Sequence, residues 1–171
     1  MKLIVDRLTP TPAPYSHEVE ATWWNSFRDG AAEYEYGLAG SLRFCFEASS
    51  VGDDVLLEGH VEGEMDVECS RCLKRYRHAL RDAFRLVLEP VGDRKPPDPE
   101  SARGLEQDGL CLGDDLELGW YRGKEIRLDS FFAEVVSLAM PQKPLCSDQC
   151  PGLCPHCGID LSQERCDCHD S

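Results

Sequence analysis

Residues 55–88 read VLLEGHVEGEMDVECSRCLKRYRHALRDAFRLVL, two alternating runs joined by a Cys-x-x-Cys. In the first run Val55, Leu57, Val61, Met65 and Val67 share one side, while Glu58, His60, Glu62, Glu64, Asp66 and Glu68 share the other. Side chains alternate faces along a strand, so this is a long strand with one buried face and an acidic outer row. In the second run Tyr76, His78, Leu80, Phe84, Leu86 and Leu88 alternate with Arg77, Arg81 and Arg85. Cys69-Ser70-Arg71-Cys72 then forms the tip of a long antiparallel hairpin. Setting Glu68 opposite Arg77 puts Glu64 opposite Arg81 and His60 opposite Arg85. The same register puts Val67 by His78, Met65 by Leu80 and Val61 by Phe84, so charges and apolar faces match on both sides of the ribbon.

The neighbouring sequence extends this sheet. Tyr36, Leu38, Leu42, Phe44 and Phe46 alternate with polar or small residues as a further strand, and SSVGDD supplies the turn into Val55. Residues 2–8 read as a short strand, and the prolines of TPTPAP favour an extended stretch after it. Trp23, Trp24 and Phe27 fit one face of a short helix that packs into the core, in an otherwise ambiguous stretch reaching Gly30. Residues 90–119 carry prolines, glycines and the acids Asp93, Asp98, Glu100, Glu106, Asp108, Asp114 and Asp115 with little periodicity, which predicts a long acidic loop or insert. Asp129 is an N-cap for FFAEVVSLAM, a helix near 129–140 that Pro141 ends and that turns Phe132, Val135, Val136 and Ala139 to the core. The predicted fold class is α+β: a β-rich antiparallel sheet with a long hairpin, one main helix near 129–140 and a C-terminal zinc-knuckle tail. The predicted domains are a β-rich main domain over residues 1–145 and a zinc-binding tail over 146–171.

The chain has 171 residues, 42% of them hydrophobic, enough for one ordinary domain and an appendage. MKLIVDRLTP turns charged too early for a signal-peptide core, and no run approaches the ~20 apolar residues that span a bilayer. The expected location is cytoplasmic, where thiols stay reduced and clustered cysteines bind metal rather than form disulfides. The formal net charge is −14, from 32 acidic and 18 basic residues. A surface that is acidic as a whole is not a general nucleic-acid footprint, since phosphates need lysine and arginine, and it suits basic protein partners.

Six of the ten cysteines fall in CSDQCPGLCPHCGIDLSQERCDC, residues 146–168. Two thiolates separated by a tight turn can bind one tetrahedral ion, so this density points to structural zinc, one ion or two. The first proposed site takes Cys154, Cys157, Cys166 and Cys168, with Gly158 supplying the open backbone conformation of the knuckle and His156 or His169 as possible substitutes in its Cys-x-Cys half. The second takes Cys69, Cys72, Cys146 and Cys150, stapling the tail to the hairpin. A single tail site with spare thiols, leaving Cys69 and Cys72 unfilled, is the alternative. Cys45 reads as a small buried hydrophobe and Cys111 as a free loop thiol.

Cys-Pro-His-Cys is also the motif of an oxidising thioredoxin-like enzyme, but such a motif opens a long helix in a β-α-β unit, and only fourteen residues follow Cys157. A catalytic zinc would need an open fourth position, the histidines are scattered, and no nucleophile elbow or Walker-type loop occurs. The chain reads as a non-enzyme.

Arg71, Lys74, Arg75, Arg77, Arg81 and Arg85 face one acid, Asp82, within residues 71–85. Arg77 and Arg81 have a structural use as cross-strand partners. That leaves Arg71, Lys74 and Arg75 at the tip as candidate RNA contacts, with Tyr76 available for stacking.

The ordered set CSRCL, LDSFFAEVVSLAMPQKPLC and CPGLCPHCGIDLSQERCDC resembles the YceD-type large ribosomal RNA subunit accumulation proteins of bacteria and plastids, over roughly residues 36–168. The resemblance implies a non-enzymatic part in the accumulation or processing of large-subunit ribosomal RNA. It also implies a gene often next to that of a small basic large-subunit ribosomal protein, which makes that protein, or the ribosomal RNA precursor, the expected partner. The alternative, from a different class, is a redox-responsive zinc-binding chaperone.

Overall fold

The computed structural model describes residues 1–27, 36–113 and 116–168. In chain order the elements are β1 (Lys2–Ile4), a 3-10 turn (Val5–Arg7), β2 (Ala13–Val19), α1 (Ala21–Ser26), β3 (Tyr36–Val51), β4 (Asp54–Glu68) and β5 (Arg75–Pro90). After them come α2 (Pro99–Gln107), β6 (Leu110–Leu112), β7 (Leu118–Tyr121), β8 (Glu125–Arg127) and α3 (Asp129–Ala139). Six strands form one sheet in the order β2-β3-β4-β5-β7-β6, and β1 pairs with β8 in a separate two-stranded sheet. The large sheet is mixed rather than purely antiparallel, because β7 runs parallel to β5. Pro14 lies in edge strand β2, where a missing N–H costs no ladder bond on the open side.

The alternating pattern marks the core face correctly. Leu42, Phe44, Phe46, Val55, Leu57, Val61, Met65, Val67, Leu80, Leu86 and Leu88 are all buried, and α3 lays Phe131, Phe132, Val135 and Val136 on that face. Phe44 stacks on Phe132 with centroids 4.3 Å apart, and Phe46 and Phe84 close around them. Trp24 of α1 is buried, Trp23 packs edge-on against Phe44, and Phe27 stays exposed.

The hairpin register differs from the expected one by two residues. Glu68 lies opposite Arg75, Val67 opposite Tyr76, Met65 opposite His78 and Glu62 opposite Arg81. A shift of two keeps every side chain on its face, so burial survives while the charge partners change. The cause is the tightness of the tip: Cys69 N–H donates to the Lys74 carbonyl at 3.0 Å, Leu73 N–H donates to the Cys69 carbonyl at 2.9 Å, and Leu73 takes φ +59°. Arg77 consequently reaches diagonally to Glu64 at 3.0 Å, and Arg85 pairs with Glu58 at 3.1 Å.

The described residues of 90–119 form an insert with a helix and two strands rather than a long loop. Asp98 caps α2 by accepting N–H bonds from Glu100 and Ser101, both at 2.8 Å, with Pro99 at the first helical position. β6 and β7 then extend the sheet beyond Val87–Pro90 of β5. Cys111 is buried in β6 beside Val91 and Leu105 rather than free in a loop, and Cys45 is half-buried. Asp114 and Asp115 lie outside the described residues, as do Gly30 and His169.

Asp129 is the first residue of α3 rather than its cap. Its carboxylate pairs with the amino-terminal ammonium group and accepts from Trp23 Nε1 at 3.0 Å, a position that also suits the positive end of the helix dipole. Among the described residues no helix is long and apolar enough to cross a membrane.

Candidate metal centres

β4 and β5 carry the hairpin tip past the end of the sheet, and the chain leaving α3 runs back to meet it. Ser70 N–H and Oγ both donate to the Pro144 carbonyl, at 2.9 and 2.8 Å, and Leu153 N–H donates to the Arg71 carbonyl at 3.1 Å. These bonds bring Cys69 and Cys72 beside Cys146 and Cys150, with the four sulfurs within 4.8 Å of one another. Cys69 Sγ lies 3.8 Å from Cys150 Sγ, and Cys72 Sγ 3.7 Å from Cys146 Sγ. A tetrahedral ion with Zn–S bonds of about 2.3 Å separates its sulfurs by about 3.8 Å, so this set has the right size.

The tail forms the second group. Cys154, Cys157, Cys166 and Cys168 also lie within 4.8 Å, with Cys166 Sγ 3.2 Å from Cys154 Sγ and 3.5 Å from Cys157 Sγ. Cys154 N–H donates to the Ile159 carbonyl and Gly158 N–H to the Cys154 carbonyl, closing the knuckle, and Gly158 takes the φ of +75° expected of it. Asp160 braces the return: its carboxylate accepts from the Ser162 backbone N–H at 2.9 Å and the Ser162 hydroxyl at 2.7 Å. His156 is not one of the four sulfur positions, although its N–H donates to Cys154 Sγ at 3.4 Å.

The electrostatics of both groups favour a cation. Burial resists ionisation of Cys69, but the N–H groups of Cys146, Cys72 and Arg71 aimed at its sulfur outweigh it and bring the thiol down to about 6. The N–H groups of Cys157 and His156 bring Cys154 down to about 6 as well. Within each group a neighbour is driven the other way: hydrogen bonding with Cys150 pushes Cys146 up to about 12, and Cys154 does the same to Cys166. One thiolate per group forms readily and suppresses the next, and a divalent cation is what lets four ionise together. Either group could hold a metal ion.

The groups differ in setting. Cys69, Cys72 and Cys150 are buried and Tyr76, Leu145 and Leu153 pack against them, whereas Cys157 and Cys168 of the tail group are exposed.

The basic tip is less free than its sequence implies. Arg71 Nη1 donates to the Cys150 carbonyl at 2.8 Å. Tyr76 is half-buried, and burial and the neighbouring Cys69 raise the phenol's pKa. Lys74 and Arg75 are exposed. The docking bonds of Ser70, Pro144 and Leu153 carried no sequence signal, because each joins segments about eighty residues apart and uses mostly backbone groups.

The model of the large ribosomal RNA subunit accumulation protein YceD matches residues 57–171, which include the hairpin and both cysteine groups. The chain belongs to the YceD family. Among curated relatives, an uncharacterized protein of Mycobacterium tuberculosis is 31% identical over 115 residues, 67% of this chain and 49% of its own length. One from Mycobacterium leprae is 31% identical over 122 residues, 71% of this chain and 49% of its own. The Arabidopsis thaliana protein named large ribosomal RNA subunit accumulation protein YCED homolog 1, chloroplastic, is 26% identical over 124 residues, 66% of this chain and 39% of its own. The chain thus spans about half the length, or less, of the curated relatives it matches. No solved structure matches it.

Proposed function

We propose that this chain is a non-enzymatic ribosome-biogenesis factor that supports accumulation or processing of large-subunit ribosomal RNA by binding a basic ribosomal protein, the RNA precursor, or both. The observation that carries this reading is the YceD match across residues 57–171, together with the name of the Arabidopsis relative. The metal we assign to both cysteine groups is zinc in a structural role. Four thiolates suit zinc in softness and number and leave no open position for substrate, which favours a scaffold over a catalyst.

Under this reading the hairpin-tip ion fixes the orientation of Lys74 and Arg75, and the acidic remainder attracts a basic partner and rejects non-specific RNA. The test is depletion of the protein in its own cells with the large-subunit ribosomal RNA precursor measured against the mature form. Depletion should lower mature large-subunit RNA and spare small-subunit RNA, and re-expression of the full chain should restore it. Unchanged large-subunit RNA would contradict the proposal.

The exposure of Cys157 and Cys168 favours one second reading, a redox-responsive zinc chaperone. That reading requires mild peroxide to eject the tail ion and expose apolar surface, measured as dye binding. An assembly factor keeps its apolar surface covered under the same treatment.

A further inference from the structure

We propose that the open edge of β5 takes up an extended, acidic, alternately apolar segment of a protein partner as an added strand. This site lies outside both cysteine groups and does not depend on the ribosomal reading. β5 is covered on one side by β4 along its length, but β7 pairs only with Val87–Pro90 on the other. Val87 N–H turns away from β4 to the Glu117 carbonyl. The β4–β5 register runs without a bulge, so with a period of two the N–H and C=O groups of Arg77, Ala79, Arg81 and Ala83 turn to that same side. Among the described residues no other backbone segment meets them, and Ala83 N–H is instead taken by the adjacent Asp82 carboxylate at 3.0 Å.

The edge offers donors and acceptors in alternation. A peptide strand satisfies both, whereas a phosphate backbone, which only accepts, leaves the carbonyls unmet. On the outer face the same strand presents Arg75, Arg77, Arg81 and Arg85 in one row, with Arg77 and Arg85 already paired to Glu64 and Glu58. Among the described residues Arg81 has no ion partner, although Glu62 is its cross-strand neighbour. Acidic side chains on the outer face of an added strand would lie beside this row. A second copy of the chain would set the arginines against themselves, so self-pairing is opposed. On the core-facing side the edge borders a notch of about 160 Å³, where Phe84, Phe131, Val135 and Leu138 meet the charged Asp82, Arg85 and Glu117. Leu138 is 67% exposed there. Apolar side chains from the inner face of the added strand would cover it.

The test uses the full-length chain, purified under reducing conditions, and a fluorescein-labelled decapeptide of alternating valine and glutamate. The expected result is saturable binding by anisotropy, weakened about tenfold or more when alternate peptide nitrogens are methylated, since each lost backbone hydrogen bond is worth roughly a few-fold and several are lost together. Hydrogen exchange should slow at Arg77, Ala79 and Arg81. Ala79→Pro removes only an edge-facing N–H and should weaken binding similarly with circular dichroism unchanged, and Leu138→Glu provides a variant that leaves the backbone alone and should also weaken it. No binding at roughly 1 mM protein, equal binding of the methylated peptide, or protection confined to residues 70–75 would overturn the proposal. Slowing of the same amides by a uridine oligonucleotide but not by the peptide would overturn it in favour of nucleic acid.

Discussion

Arg71 shows how a single residue can look like a ligand contact and act as a clamp. Its guanidinium donates to the Cys150 carbonyl and its own carbonyl accepts from Leu153, so it fastens the tail to the hairpin from both ends. Arg71→Ala should therefore cost about 1.5–3 kcal/mol in urea unfolding, the range for losing a hydrogen bond from a charged donor. A residue used only for RNA contact would leave stability unchanged. In the core, Phe132 touches Phe44, Phe46, Phe84 and Phe131 and is fully buried. Phe132→Ala should destabilise by about 3–5 kcal/mol, measured by chemical denaturation, because the surrounding rings cannot close the cavity.

At the scale of elements, cysteines from the tip and the tail share one group in which Cys69, Cys72 and Cys150 are buried and Cys146 is exposed, and the terminal knuckle is closed by its own turn. A chelator should accordingly remove metal in two phases, the exposed tail group first and the hairpin-tip group more slowly, followed by the absorbance of a metal-sensitive dye. A single phase would mean the two groups are equally accessible. The same elements explain what could be read beforehand. Alternation marks the faces of β3, β4 and β5 because burial follows a period of two, but it leaves register undetermined by any even shift, and the Cys69 to Lys74 turn decides that. The start of α2 was written in Asp98-Pro99, yet β6 and β7 are three and four residues long and gain their order from β5, a partner that local sequence does not reveal. The cysteine pairs were legible because their spacing is local. That the hairpin pair meets the Cys146 pair rather than standing alone depends on where α3 ends.

For the whole molecule, a formal charge of −14 surrounds one basic row on β5 and its tip. Such a field would accelerate encounter with any basic protein, such as the ribosomal protein proposed above, more than it would strengthen the final complex. Stopped-flow association with such a protein should slow steeply as salt rises toward about 0.5 M, where screening acts within a few ångströms, while dissociation changes little. A salt-independent association rate would remove charge steering from the account. The central claim is that two metal ions organise this chain, and the most direct measurement is native mass spectrometry of the reduced full chain beside its Cys69→Ser and Cys154→Ser variants. The account predicts two zinc ions in the wild type and one in each variant. Metal-free wild-type protein, or a Cys69→Ser variant that keeps the full complement, would contradict it.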